Sequence, residues 1–161
     1  MVVAVASCGG GGSSGIDEDF GNRAVDAVSK KVGDCVLHAD RDCSGMDLSG
    51  GDLSGASAFN SLFVDTNLTG ADLTDFTAPE ADFTGADLTA ATLDGFVAGK
   101  ADFTGADFSG ATGTDVTLNE SVCESATFND VPFSGVTLNS ARCDGADFSG
   151  AKVSGAGFSS A

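Results

Sequence analysis

The 161-residue chain contains no tryptophan, no tyrosine, two prolines, one histidine and only seven lysines and arginines. Each shortage excludes something. The single histidine, His38, has no nucleophile and acid arranged around it in the sequence, so a structural role is expected and no enzyme is read here. With 24 acidic residues against seven basic ones, the net charge is −17. A phosphate backbone would be repelled, and no basic stripe exists to release counterions, so direct nucleic-acid binding is excluded. Anionic membrane surfaces are disfavoured for the same reason. A basic protein partner is compatible, as is the plainer reading that the charge keeps the surface soluble. The five cysteines form no CxxC pair, which argues against zinc. No apolar run reaches the length of a transmembrane segment. Gly9–Gly12 lacks the GK[ST] of a phosphate-binding loop and reads as a tether.

Glycine, phenylalanine, Ala, Asp, Ser and Thr are abundant, while helix formers such as Glu, Gln and Lys are scarce, a bias that signals a repeat. Counting in fives from Leu48 gives Leu53, Ala58, Phe63, Leu68, Leu73, Ala78, Phe83, Leu88, Leu93, Ala98, Phe103 and Phe108, and then Gly113, Leu118, Cys123, Phe128, Phe133, Leu138, Cys143, Phe148, Val153 and Phe158. No insertion breaks this register, and Cys43 extends it one step back. Two residues before most of these centres stands a small residue, as at Ala71, Ala86, Ala106, Ala126 and Ala146. Asp, Asn or Thr lies between the two, and Ser or Thr and then often Gly follow the centre; Ala86-Asp87-Leu88 preceded by Phe83-Thr84-Gly85 shows the unit.

A period of five fits neither an α-helix nor a flat strand. Two inward positions in five, followed by glycine, suit a short extended stretch and a turn. The A-(D/N)-(L/F)-(S/T)-G pattern, running over residues 42–160, resembles the pentapeptide-repeat family. The resemblance implies an all-β solenoid: a right-handed quadrilateral β-helix in which four units make one coil of 20 residues. About six coils, at about 4.8 Å each, would give a rod roughly 28 Å long. The unusual units recur at the same interval. Ala58, Ala78 and Ala98 replace a large centre, and in two of those units the paired position is enlarged to Phe76 and Phe96, as a core of constant volume requires. The interior is therefore expected to be filled, with no cofactor, and Gly113 is its weak point, either loose or filled by a neighbour.

Residues 1–15 read as a leader: Ala4-Val5-Ala6 fits a small-x-small cleavage site and Val5–Cys8 a lipoprotein box, although no basic region precedes them. Residues 16–41 read as a capping helix and junction. Ile16, Phe20, Ala24, Ala27, Val28 and Val32 share a face, Lys30 and Lys31 suit a last turn, and Gly33 a C′ stop. That helix is expected to cover the first coil of the repeat over 42–161. Cys35 and Cys43 are a candidate disulfide, or else two small buried thiols; Cys123 and Cys143, stacked in adjacent coils, are expected to be packing residues. Nothing after Phe158 reads as a cap, so end-to-end self-association is open.

Two surface features are candidates for function. Asp47, Asp87, Asp107 and Asp147, with Asn67, should line one acidic side; the calcium-binding nonapeptide signature is absent, so this is read as a solvated face with no metal. Phe59, Leu62 and Val64 occupy normally polar positions at one corner, and Val97 and Val122 fall on the same two sides, marking either a partner patch or packing beneath the N-terminal segment. The expected function is a non-enzymatic scaffold that binds a protein. The repeat style is similar to thylakoid-lumen and cyanobacterial family members, which implies export to the thylakoid lumen and association with a larger photosynthetic membrane assembly. The alternative, similar to the quinolone-resistance branch, is a cytoplasmic acidic DNA mimic that binds gyrase.

Overall fold

In a computed structural model, which describes residues 30–157, the repeat winds into a β-helix whose bridges join each residue to the one 20 further on, from Asp42↔Leu62 to Thr137↔Gly157. Centre residues and those two positions before them alternate inward. The N–H of a centre donates to the next coil and the residue before it donates to the previous one: Leu68 N–H to Asp87 C=O at 2.7 Å, Asp87 N–H to Thr66 C=O at 2.9 Å. The coil has four sides. Side one carries the centres Cys43, Phe63, Phe83, Phe103, Cys123 and Cys143; side two runs from Leu48 to Phe148, side three from Leu53 to Val153, and side four from Ala58 to Leu138.

The core is dry and closely packed. Phe63, Phe83 and Phe103 stack with ring centroids 4.7 and 5.0 Å apart, and Phe108, Phe128 and Phe148 stack at 4.7 Å. That spacing is the strand-to-strand distance, so backbone ladder and ring stack set the same rise. Phe76 and Phe96 lie buried over the alanine centres Ala78 and Ala98 and meet Phe63 and Phe83 edge-on at 6.1 and 6.3 Å. Where a hydroxyl replaces Ala at an inward position, a backbone carbonyl accepts from it: Thr66 Oγ1 donates to Cys43 C=O at 2.9 Å and Ser121 Oγ to Leu118 C=O at 2.7 Å. Gly113 is not loose. A Cβ there would lie 2.7 Å from Val116 and 3.1 Å from Leu93, so those side chains occupy its place. One coil further on, Pro132 has no N–H for the ladder, and the bridging on side three moves to Thr114↔Ser134↔Ser154.

The corners turn through the left-handed region at every fifth residue, with Gly or a non-glycine at positive φ. At four corners a relation between coils accounts for the glycine. Asp65, Asp75, Asp115 and Asp130 are each followed 20 residues on by a glycine, at 85, 95, 135 and 150. In each pair the carboxylate oxygen fills the space where a Cβ of that glycine would stand; for Gly135 the separation from Asp115 Oδ1 would be 2.6 Å.

The helix expected over 16–32 is corrected at its described end. Lys30–Val32 is a strand, β1, paired antiparallel with β2, Cys35–Leu37. Gly33, at φ 58°, opens a two-residue Gly33-Asp34 hairpin loop instead of ending a helix. Residues 16–29, the leader and Phe158 lie outside the described residues. The hairpin, with Cys35 and Leu37 wholly buried, packs over the first coil. Gly51 stands where the repeat usually has Ala, because an added Cβ would come 2.5 Å from Val32 Cγ1.

This interlock is testable. Gly51 has no positive φ to preserve, so Gly51→Ala should by chain entropy alone be stabilising. Overpacking against Val32 instead predicts a loss of about 1–3 kcal/mol in urea denaturation. Val32→Ala in the same chain should recover part of that loss, the remainder coming from the Leu48 carbonyl oxygen 2.8 Å from the added Cβ; purely additive losses would contradict the interlock.

Candidate interaction surface

The outward positions follow from the corner chemistry. In unit after unit, the carboxylate or amide oxygen before the centre accepts from the N–H two residues later: Ser44 to Asp42 at 3.0 Å, Ser49 to Asp47 at 3.1 Å, Thr69 to Asn67 at 3.0 Å, Thr89 to Asp87 at 2.9 Å and Ser109 to Asp107 at 2.8 Å. The repeat's Asp and its Ser or Thr are thus one local turn motif. Ladder pairing then lines these acids up. Asp47, Asn67, Asp87, Asp107, Thr127 and Asp147 follow one another on side two. Asp42, Asp82 and Asp102 stand on side one, and Asp52 and Asp72 on side three. Asn67 Nδ2 bridges to Asp47 Oδ1 at 3.1 Å, which relieves repulsion at one step. Among the described residues no group of His, Cys, Asp and Glu is arranged to hold a metal ion.

Hydrogen bonds hold several of these carboxyls below their ordinary pKa. For Asp42 the main cause is the Ser44 N–H; for Asp47 and Asp147 it is the hydroxyl of Ser49 and of Ser149, followed by the N–H of the same residues. Burial pushes Asp87 upward, but bonds from Thr89 and Thr69 together outweigh it and the net shift is down.

Side four is different. Its outward positions are Ser57, Thr77, Val97, Thr117, Thr137 and Gly157 before the centres, and Phe59, Pro79, Gly99, Asn119 and Asn139 after them. None is charged, in a chain of net charge −17. Its corner toward side one alone carries no glycine and runs Asp40, Asn60, Glu80, Lys100, Glu120, Ser140, with Asn60 Nδ2 donating to Asp40 Oδ1 at 2.8 Å and Lys100 paired with Glu120 at 3.9 Å. Phe59 (42% exposed) and Val97 (36%) stand on side four, and Leu62 (41%) across that corner on side one. Val64 and Val122 are only half-buried members of side one, and Asp82 and Asp102 separate Leu62 from Val122 along the ladder. The five residues are therefore a local group, Phe59, Leu62 and Val64, plus two outliers. The neutral side was missed in the sequence reading, although taking every twentieth residue would have exposed it.

Cys35 and Cys43 are joined as a disulfide across 5.7 Å between Cα atoms. Cys123 and Cys143 are joined too, which corrects the expectation of simple packing: stacked centres point the same way and their Cα atoms stand 4.4 Å apart. His38 is half-buried; its ring lies against the Arg41 side chain and its C=O accepts from Ser61 Oγ at 3.0 Å.

Depressed carboxyl pKa values contribute stability that is present above the unfolded value of about 4 and is lost as pH falls through the folded value. Thermal melts between pH 6 and pH 3 should therefore show a falling midpoint below about pH 4. Asp47→Asn with Asp147→Asn keeps the acceptor and removes the titration, so its acid limb should be shallower; equal slopes would contradict the assignment.

The comparisons agree with this architecture. The pentapeptide-repeat pattern matches residues 42–75, 81–112 and 118–155 in eight copies. No curated protein matches in sequence. Among solved structures, the chain is similar to QnrB1, a plasmid-mediated fluoroquinolone resistance protein, at 20% identity and a TM-score of 0.59, covering 76% of this chain and 70% of that one. It is also similar to a pentapeptide-repeat protein of the Arabidopsis thaliana thylakoid lumen, at 30% identity and a TM-score of 0.46, covering 58% of this chain and 68% of that one. An unbroken five-residue register, bridges at every twentieth residue and these matches lead to one statement: the chain belongs to the pentapeptide-repeat family, with its right-handed β-helix.

Proposed function

We propose that the protein is a non-enzymatic scaffold that binds another protein through side four and its corner with side one. The observation that carries this reading is the contrast between that side, uncharged at every outward position and bearing Phe59 and Val97, and the other three sides, each of which bears carboxylates. A flat neutral strip between acidic edges fits a partner with an apolar centre and a basic rim. The core supports the same reading, since its inward positions are taken up mainly by buried apolar side chains. Two disulfides favour an oxidising compartment, and we assign the protein to the thylakoid lumen, docked on a photosynthetic membrane assembly. Among the described residues no helix is long and apolar enough to cross a membrane.

A second reading has its own support. Carboxylates repeated along sides one, two and three of a rod present the charge pattern of a duplex backbone, which is the requirement for an acidic DNA mimic that binds gyrase.

Gyrase supercoiling titrated with the protein separates the two. The scaffold reading predicts no inhibition at equimolar protein; inhibition relieved by Asp87→Asn with Asp107→Asn would establish the mimic. For the scaffold, cross-linking in native thylakoids should capture one partner that Phe59→Ser with Leu62→Ser loses, at least about tenfold, as expected for apolar anchors. Undiminished capture by that variant would remove side four from the interface.

A further inference from the structure

The two disulfides sit at opposite ends of the described rod, and their surroundings differ. Cys123 and Cys143 join coils that the backbone already joins: Cys123 N–H donates to Arg142 C=O at 2.7 Å, Ser125 N–H to Asp144 C=O at 2.9 Å, Arg142 N–H to Ser121 C=O at 2.9 Å and Phe128 N–H to Asp147 C=O at 2.7 Å. Breaking the sulfur bond leaves that ladder standing. Cys35 and Cys43 instead join the hairpin β1–β2 to the first coil. Each hairpin strand has three residues, and a two-stranded hairpin of that size is marginal on its own. Among the described residues its hold on the repeat includes Val32 seated on Gly51, buried Leu37, the Ser61 Oγ bond to His38 C=O, the Asp40 N–H bond to Phe59 C=O that follows it and the disulfide itself. Beneath it lie Leu48 and Leu53, the first large centres of the core, with Gly33 above Leu48.

We propose that Cys35–Cys43 is a redox latch: its reduction releases the hairpin and opens the N-terminal end of the solenoid, whereas reduction of Cys123–Cys143 releases nothing. The reductant is a dithiol. One thiolate attacks a sulfur of the pair and forms a mixed disulfide with release of the other cysteine thiolate. The second thiol of the reductant, as thiolate, then displaces the bound cysteine. The dithiol is oxidised to its disulfide by two electrons, and Cys35 and Cys43 take up the protons as free thiols; the reverse exchange recloses the latch. Both cysteines are wholly buried, so attack waits on transient lifting of the hairpin, while half-buried Cys143 is open to earlier attack. The order of reduction is therefore Cys123–Cys143 first, without structural consequence, and Cys35–Cys43 second, with opening of the end. A small set of open end positions is where unwinding of a linear repeat array begins, so the latch also sets the protein's susceptibility to unravelling.

Hydrogen exchange read by mass spectrometry on the full chain, before and after treatment with dithiothreitol, tests this, with alkylation counting each cysteine. Once Cys35 and Cys43 are reduced, amides of residues 31–37 should exchange at least about tenfold faster, while those of residues 123–128 and 142–147 change by less than about threefold. Cys35→Ala with Cys43→Ala, which keeps the site apolar, should reproduce the fast hairpin without reductant. The latch is overturned if hairpin amides keep their protection with both thiols free, if the Cys123–Cys143 region loosens equally, or if the whole chain unfolds on reduction. It is also overturned if Cys35 and Cys43 alkylate before Cys123 and Cys143, since the order given by burial would then be wrong.

Discussion

Each turn of this molecule is hydrogen-bonded to the next by donors and acceptors that repeat every five residues, and the ladder tolerates neither a gained nor a lost residue. One insertion would shift every later side chain off the axis, exposing Phe and burying Asp. That constraint is why the register runs through Gly113 and Pro132 without a break. Both residues defeat a local preference, one by lacking a side chain and one by lacking an N–H, and the chain absorbs each locally. Val116 and Leu93 fill the first vacancy, and the side-three bridges move two residues past the second. A fixed backbone with adjustable contents is the working principle.

Volume is conserved across the axis rather than position by position. Ala78 and Ala98 are small because Phe76 and Phe96 reach in beside them, and Gly51 is smaller than its counterparts because Val32 enters from the hairpin. The surface obeys an analogous rule. Where the carboxylates of corner residues Asp65, Asp75, Asp115 and Asp130 turn toward the next coil, the residue 20 places later is glycine, at 85, 95, 135 and 150, while at the corner of Asp40 an Asn60 amide donates to the carboxylate instead. In the core and at the corners alike, the true neighbour of a residue is 20 away, not one.

That distance explains what could be read in the sequence. The five-residue register is a local signal, and the stack of Phe63, Phe83 and Phe103 follows from it by counting. The hairpin was illegible because its residues are ambiguous: Lys30, Lys31 and Gly33 end a helix as readily as they bracket a turn, and the pairing partner Cys35–Leu37 is too short to show alternation. Cys123 and Cys143 were assigned to packing since small apolar centres are ordinary in this register; only the 4.4 Å approach of their Cα atoms distinguishes them. The neutral side was hidden because its members lie 20 residues apart, one unit in each coil. Ser57, Thr77, Val97, Thr117 and Thr137 are each flanked in sequence by units belonging to acidic sides.

Function in such a molecule must be carried by surface and ends, because the interior is spent on holding the rod together. The surface is partitioned: Asp and Ser or Thr serve the corners wherever they occur, so an acidic side is what the turn chemistry yields by default. A side that dispenses with aspartate has given up those carboxylate turn bonds, and side four does so at every unit from Ser57 to Thr137. Loss of a stabilising feature along a whole face, together with the gain of exposed Phe59 and Val97, is difficult to derive from folding alone. Among the described residues, the interactions along this side and its corner include an Asn60–Asp40 bond, a Lys100–Glu120 pair and an Asn139 N–H donating to Asn119 Oδ1 at 2.9 Å, while Thr137 Oγ1 is buried without a partner. On the proposed scaffold reading, a contact made by the folded rod is what keeps that face free of aspartate.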